Sequence, residues 1–83
     1  MKIEVIENKT TGYKSLFINT LEAIKACGIN GKVELKNDIQ TILKYGIRAT
    51  PALVVNGVVL IAGQLQSSEH IMNLLQQQIP HIS

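Results

Sequence analysis

Polar and apolar residues alternate from Lys2 to Ile6, with Ile3 and Val5 set against Lys2 and Glu4. That period of two predicts a strand with one face buried more firmly than the other. The polar stretch ENKTTGYKS, residues 7–15, breaks the pattern and reads as a loop, with Thr10 and Thr11 as candidate caps for a following helix. The helix runs to about Cys27. Its inner stripe is Leu16, Phe17, Leu21, Ile24 and Cys27, its wet side is Lys14, Asn19, Glu22 and Lys25, and Gly28 stands where a left-handed cap ends it.

A turn at Asn30-Gly31 leads into a second alternating strand, with Val33 and Leu35 inward and Lys32, Glu34 and Lys36 outward. NDIQTILKYG then predicts a short helix capped by Asn37 with Gln40 three residues on. Ile39, Ile42 and Leu43 face inward, and Gly46-Ile47 closes it. PALVV, NG and VVLIAG form a hairpin, because Asn56-Gly57 readily takes the positive φ angles of a type I′ turn. Ser67 or Ser68 caps a last helix through Gln78, with Ile71, Leu74, Leu75 and Ile79 inward and Pro80 helping to stop it.

The element order is βαβαββα. Two strands joined by a helix run parallel with a right-handed crossover and the closing hairpin is antiparallel, so a four-stranded mixed sheet with helices on both faces is expected. At 83 residues, 46% of them apolar and 17% charged, the chain builds one packed core, and residues 1–83 are read as a single domain. The net charge is only +2, and the lysines alternate with Glu4, Glu7, Glu22, Glu34 and Asp38, which excludes a nucleic-acid stripe. No apolar run reaches the roughly 18 residues of a membrane span, and acids occupy the start where a signal peptide needs apolar residues; a cytoplasmic protein with no membrane partner is expected. The single Cys27 excludes an intramolecular disulfide and a cysteine-based zinc site. His70 and His81 read as exposed imidazoles, so neither a metal nor a cofactor is expected.

The strand order, with Thr50-Pro51 opening the third strand and NG closing it, resembles the thioredoxin fold in its minimal form, a three-layer α/β sandwich. The likeness is to the small thioredoxin-like proteins called redox-active disulfide proteins. It covers nearly the whole chain through KIEVI, LEAIKACGING, ILKYGIRATPALVVNG and GQLQSSEHIMNLL. The resemblance implies that Pro51 is a cis-proline beside the active site and that Thr50 presents its backbone to a docked peptide. It also implies a Cys-x-x-Cys pair in the loop before the first helix, where helix amides stabilise a thiolate and a second cysteine resolves the mixed disulfide. Those positions fall on Thr10 and Tyr13, in Thr10-Thr11-Gly12-Tyr13, and both sulfurs are absent. A threonine hydroxyl is not ionised near neutral pH and has no base placed beside it, so this loop cannot perform dithiol exchange.

Cys27, at the far end of the first helix, reads as a buried structural cysteine. Lys9 to Lys14 offer hydroxyls and amines that suit either a capped helix start or an anion. Arg48 is placed to contact a carboxylate if its loop binds. Val58, Val59, Leu60 and Ile61 form an uncharged edge strand, and such edges recruit other chains. Two function classes follow. One is a non-catalytic module that binds a protein or peptide, or a second copy of itself, through the Thr10–Tyr13 and Arg48–Pro51 loops or through the edge. The other is an oxidoreductase relative with residual monothiol or glutathione-linked activity.

Overall fold

A computed structural model describes residues 1–7 and 15–78. Thr10, Thr11, Gly12, Tyr13, Ile79, Pro80 and His81 lie outside the described residues. The elements are β1 (Lys2–Ile6), α1 (Leu16–Cys27), β2 (Lys32–Lys36), α2 (Ile39–Tyr45), β3 (Ala52–Val55), β4 (Val58–Ala62) and α3 (Ser68–Gln78). They form one sheet in the order β2-β1-β3-β4, with β1 parallel to β2 and antiparallel to β3, and β3 antiparallel to β4. This is the expected mixed α/β sheet. Because side chains alternate across a strand, each face gathers its own core. Ile3, Val5, Leu53, Val55 and Ile61 pack with Leu16, Ala23 and Ile24 of α1 and Ile71 and Leu75 of α3. On the other face Ile6, Ala52 and Val54 pack with Ile47 and with Ile42 and Tyr45 of α2.

The hairpin forms as its Asn-Gly signal predicts, with φ of 50° at Asn56 and 83° at Gly57. The turn is tied back to the first strand, since Asn56 N donates to Lys2 O and Lys2 N donates to Asn56 Oδ1, each at 2.8 Å. Gly28 and Gly46 end α1 and α2 with φ of 65° and 64°.

Several side chains take other places than their spacing predicts. The cap of α1 is Ser15 and that of α2 is Asp38, whose carboxylate accepts from Thr41 N at 3.0 Å. On α1 the buried stripe is Leu16, Thr20, Ala23 and Ile24. Thr20 joins it by donating its hydroxyl to Leu16 O, while Leu21 turns to solvent. Phe17 and Cys27 are half-buried. On α2 it is Thr41, Ile42 and Tyr45 that face the sheet, and Ile39 and Leu43 are 73% and 74% exposed. Leu35, on the outer strand β2, is half exposed.

Candidate functional site

The register Ile6↔Ala52 places the end of β1 beside the start of β3. Glu7 therefore emerges next to the Arg48–Pro51 segment, and the start of α1 lies against Glu7. Arg48, Ala49 and Thr50 are exposed, Pro51 is half-buried, and the Thr50–Pro51 peptide bond is cis. Gly63, just past β4, holds the segment from the other side: its N–H donates to Pro51 O at 2.8 Å. The approach is close enough that a Cβ on Gly63 would stand 2.9 Å from the Ala49 Cβ. Arg48, Thr50 and Pro51 are thus brought together at one end of the sheet with the first turn of α1.

That first turn is fully paired. Glu7, 7% exposed, accepts from Leu16 N at 2.8 Å and Phe17 N at 3.2 Å through its two oxygens. Ser15 Oγ accepts from Ile18 N at 3.1 Å, and Ser15 O accepts from Asn19 N at 3.0 Å. The helix cap expected at Thr10 or Thr11 is instead supplied by Ser15 and Glu7 because they alone among the described residues reach these amides. Ser15 had a legible signal, a serine directly before Leu16-Phe17; Glu7 had none, since a contact between residues nine apart in sequence and outside any one element leaves no periodic trace.

Farther along α1, the Asn19 side chain donates to Gln66 O at 2.8 Å and joins the helix to the connection between β4 and α3. A shallow cleft of about 390 Å³ runs beside this contact, lined by Asn19, Glu22, Leu65, Gln66, Ser67 and Ser68. His70 is exposed, and its backbone N–H is capped by Ser67 Oγ at 3.2 Å.

Beneath α2 lies a second group of polar residues, Glu4, Lys36 and Tyr45, of which alternation set Glu4 on the less firmly buried face of its strand and Lys36 outward. Glu4 is 1% exposed, receives the Tyr45 hydroxyl on Oε1 and sits 3.0 Å from Lys36 Nζ through Oε2. Burial pushes its carboxyl up, but the Tyr45 hydroxyl and the Lys36 ammonium outweigh that and hold it below its ordinary value. The same contact with Glu4 raises both Lys36 and Tyr45. Lys36 also links the two groups, since its carbonyl accepts from Glu7 N at 3.0 Å.

Of the edge-strand candidates, Val58 and Val59 are exposed at 50% and 36%, Leu60 is half-buried and Ile61 is buried at 6%. Ile61 thus belongs to the core and is unavailable to a partner. The pairing skips Leu60, with Leu53↔Ile61 followed by Val54↔Val59, and this bulge bends the edge. Cys27 is the last residue of α1, about 16 Å along the axis from Leu16 at 1.5 Å per residue, and thus remote from the Arg48–Pro51 end.

A sheet of this order, with two helices on one face and one on the other, and a loop with a cis-proline beside the start of α1, defines a thioredoxin-like protein. A family model described as a thioredoxin domain matches residues 1–76. A protein named thioredoxin from Methanothermobacter thermautotrophicus is 33% identical over 75 residues, which cover 90% of this chain and 97% of that protein. The chain belongs to the thioredoxin family.

Among the described residues, no helix is long and apolar enough to cross a membrane.

Proposed function

We propose that this chain is a non-catalytic thioredoxin-family module that recognises a protein or peptide segment at the Arg48–Pro51 end of the sheet. The observation that carries this reading is a separation. The one cysteine, Cys27, stands at the opposite end of α1 from an exposed loop whose backbone is held by Gly63. Exchange between a thiol and a disulfide needs a thiolate at the docking site and a second thiol to resolve the product. With Thr10 and Tyr13 in the two positions, recognition is what the site retains. An extended segment docks there through main-chain hydrogen bonds to the Thr50 region, and Arg48 favours a carboxylate on its outer side. Val58 and Val59 on the bulged edge provide a second surface for a partner strand or another copy of the chain. The reading fits a protein that works in the cytoplasm and needs no cofactor.

Random-peptide display against the immobilised chain tests this. Each selected peptide is titrated into labelled protein while the amides of Arg48, Ala49, Thr50 and Ala52 and those of Val58 to Ile61 are followed. We expect saturable shifts in the first set; shifts confined to the second move the binding surface to the edge. A selection whose peptides move neither set contradicts recognition at this face.

A further inference from the structure

We propose that Glu7 sets the charge selectivity at the start of α1: its carboxylate fills the anion position there, so at that position neutral or cationic ligand groups are accepted and anions, a thiolate included, are rejected. A ligand carboxylate is left to Arg48 on the outer side. The choice of ligand class rests on the recognition reading above; the filled position does not. A helix start attracts anions because its first amides lack partners within the helix and carry the positive end of the dipole. Here the charge is supplied from within. Leu16 N and Phe17 N each give their single hydrogen to Glu7, at 2.8 and 3.2 Å, and Ile18 N gives its hydrogen to Ser15 Oγ at 3.1 Å. An incoming phosphate, carboxylate or thiolate finds no free donor in this turn unless it expels Glu7.

Expulsion is opposed by the fold. Glu7 is 7% exposed and its own N–H is fastened to Lys36 O at 3.0 Å, so the main chain from which the carboxylate reaches is an extension of the β1–β2 pairing. Driven off the amides, the carboxylate would remain largely buried and lose its partners, the costly way to leave a charge. An anion that approached without expelling it would meet a like charge. In the sequence Glu7 and Leu16 also bracket residues 8–15, which include Thr10 and Tyr13. The negative charge therefore stands at the root of the segment where the resembled redox proteins place their cysteines, and it opposes the lowering of thiol pKa that such a cysteine requires.

The test uses introduced thiols as reporters. In a Cys27→Ser background, Thr10→Cys and Tyr13→Cys are made singly, each with and without Glu7→Gln, and alkylation by iodoacetamide is timed at pH 7. Glu7→Gln removes the charge, keeps the side-chain size, and is expected to speed alkylation at one or both positions about tenfold, equivalent to one pKa unit. Equal rates with and without Glu7→Gln at both positions overturn the proposal. A second arm needs no substitution: in a sulfate titration of the unaltered chain, the amides of Leu16 and Phe17 are expected to stay in place, and a saturable shift of either overturns it. Neither arm involves a peptide. Failure here leaves peptide recognition standing, and a failed peptide selection leaves the role of Glu7 standing.

Discussion

Gly63→Ala is expected to destabilise the protein by about 2–3 kcal/mol and to displace the Arg48–Pro51 segment. Gly63 has a φ of 87°, in the region that a Cβ disfavours, and the added methyl would stand 2.9 Å from the Ala49 Cβ. The conformational part costs about 1–2 kcal/mol. The steric part arises because Gly63 N and Pro51 O are already bonded at 2.8 Å, so neither chain can retreat without losing that bond. Urea unfolding measures the total, and the amide shifts of Ala49 and Thr50 report the displacement. The double variant Gly63→Ala with Ala49→Gly separates the two parts: it removes the steric clash and leaves the φ cost, so about half of the lost stability should return. A single variant as stable as the parent would mean that this contact does not hold the loop.

Glu4→Ala is expected to cost about 2–4 kcal/mol at neutral pH, because it removes a buried carboxylate that organises both Tyr45 and Lys36. The pH dependence has a defined sign. The carboxyl is pushed up by burial but held below its ordinary value by the hydrogen bond from Tyr45 and by Lys36. Between the native and unfolded values the unfolded chain binds more protons. The contribution of Glu4 is therefore complete above the ordinary carboxylate value and is lost as pH falls through the lower native one. Asp38, lowered by its bond from the Thr41 hydroxyl, acts in the same direction. The urea midpoint should fall between about pH 5 and about pH 3, and fall less in Glu4→Gln, which keeps the shape of the side chain without its charge. Parallel declines in the two proteins would remove Glu4 as a source of acid sensitivity.

The residues that were readable in the sequence are those whose signals are local. Asn56-Gly57 specifies its turn through its own backbone preferences, and Gly28 and Gly46 mark helix ends in the same way. The alternation in Lys2–Ile6 identified a strand but could not tell a buried carboxylate from a wet one. That distinction depends on Tyr45, 41 residues away, and on Lys36 across the strand pair. Helix α2 has seven residues, too few turns for its stripe to be defined by periodicity, so Tyr45 reaching Glu4 decides which face points inward. Ile39 and Leu43 are left outside for that reason. At the candidate site, Thr50-Pro51 was legible as a motif, whereas the roles of Glu7 and Gly63 exist only once the ends of β1, α1, β3 and β4 meet.

Recognition without redox chemistry is tested most directly by insulin reduction with dithiothreitol as electron source. We expect the chain to reduce insulin no faster than the buffer control, and Cys27→Ala to behave identically. Reduction above background that disappears in Cys27→Ala would contradict the proposed function and show that the lone thiol works in this protein.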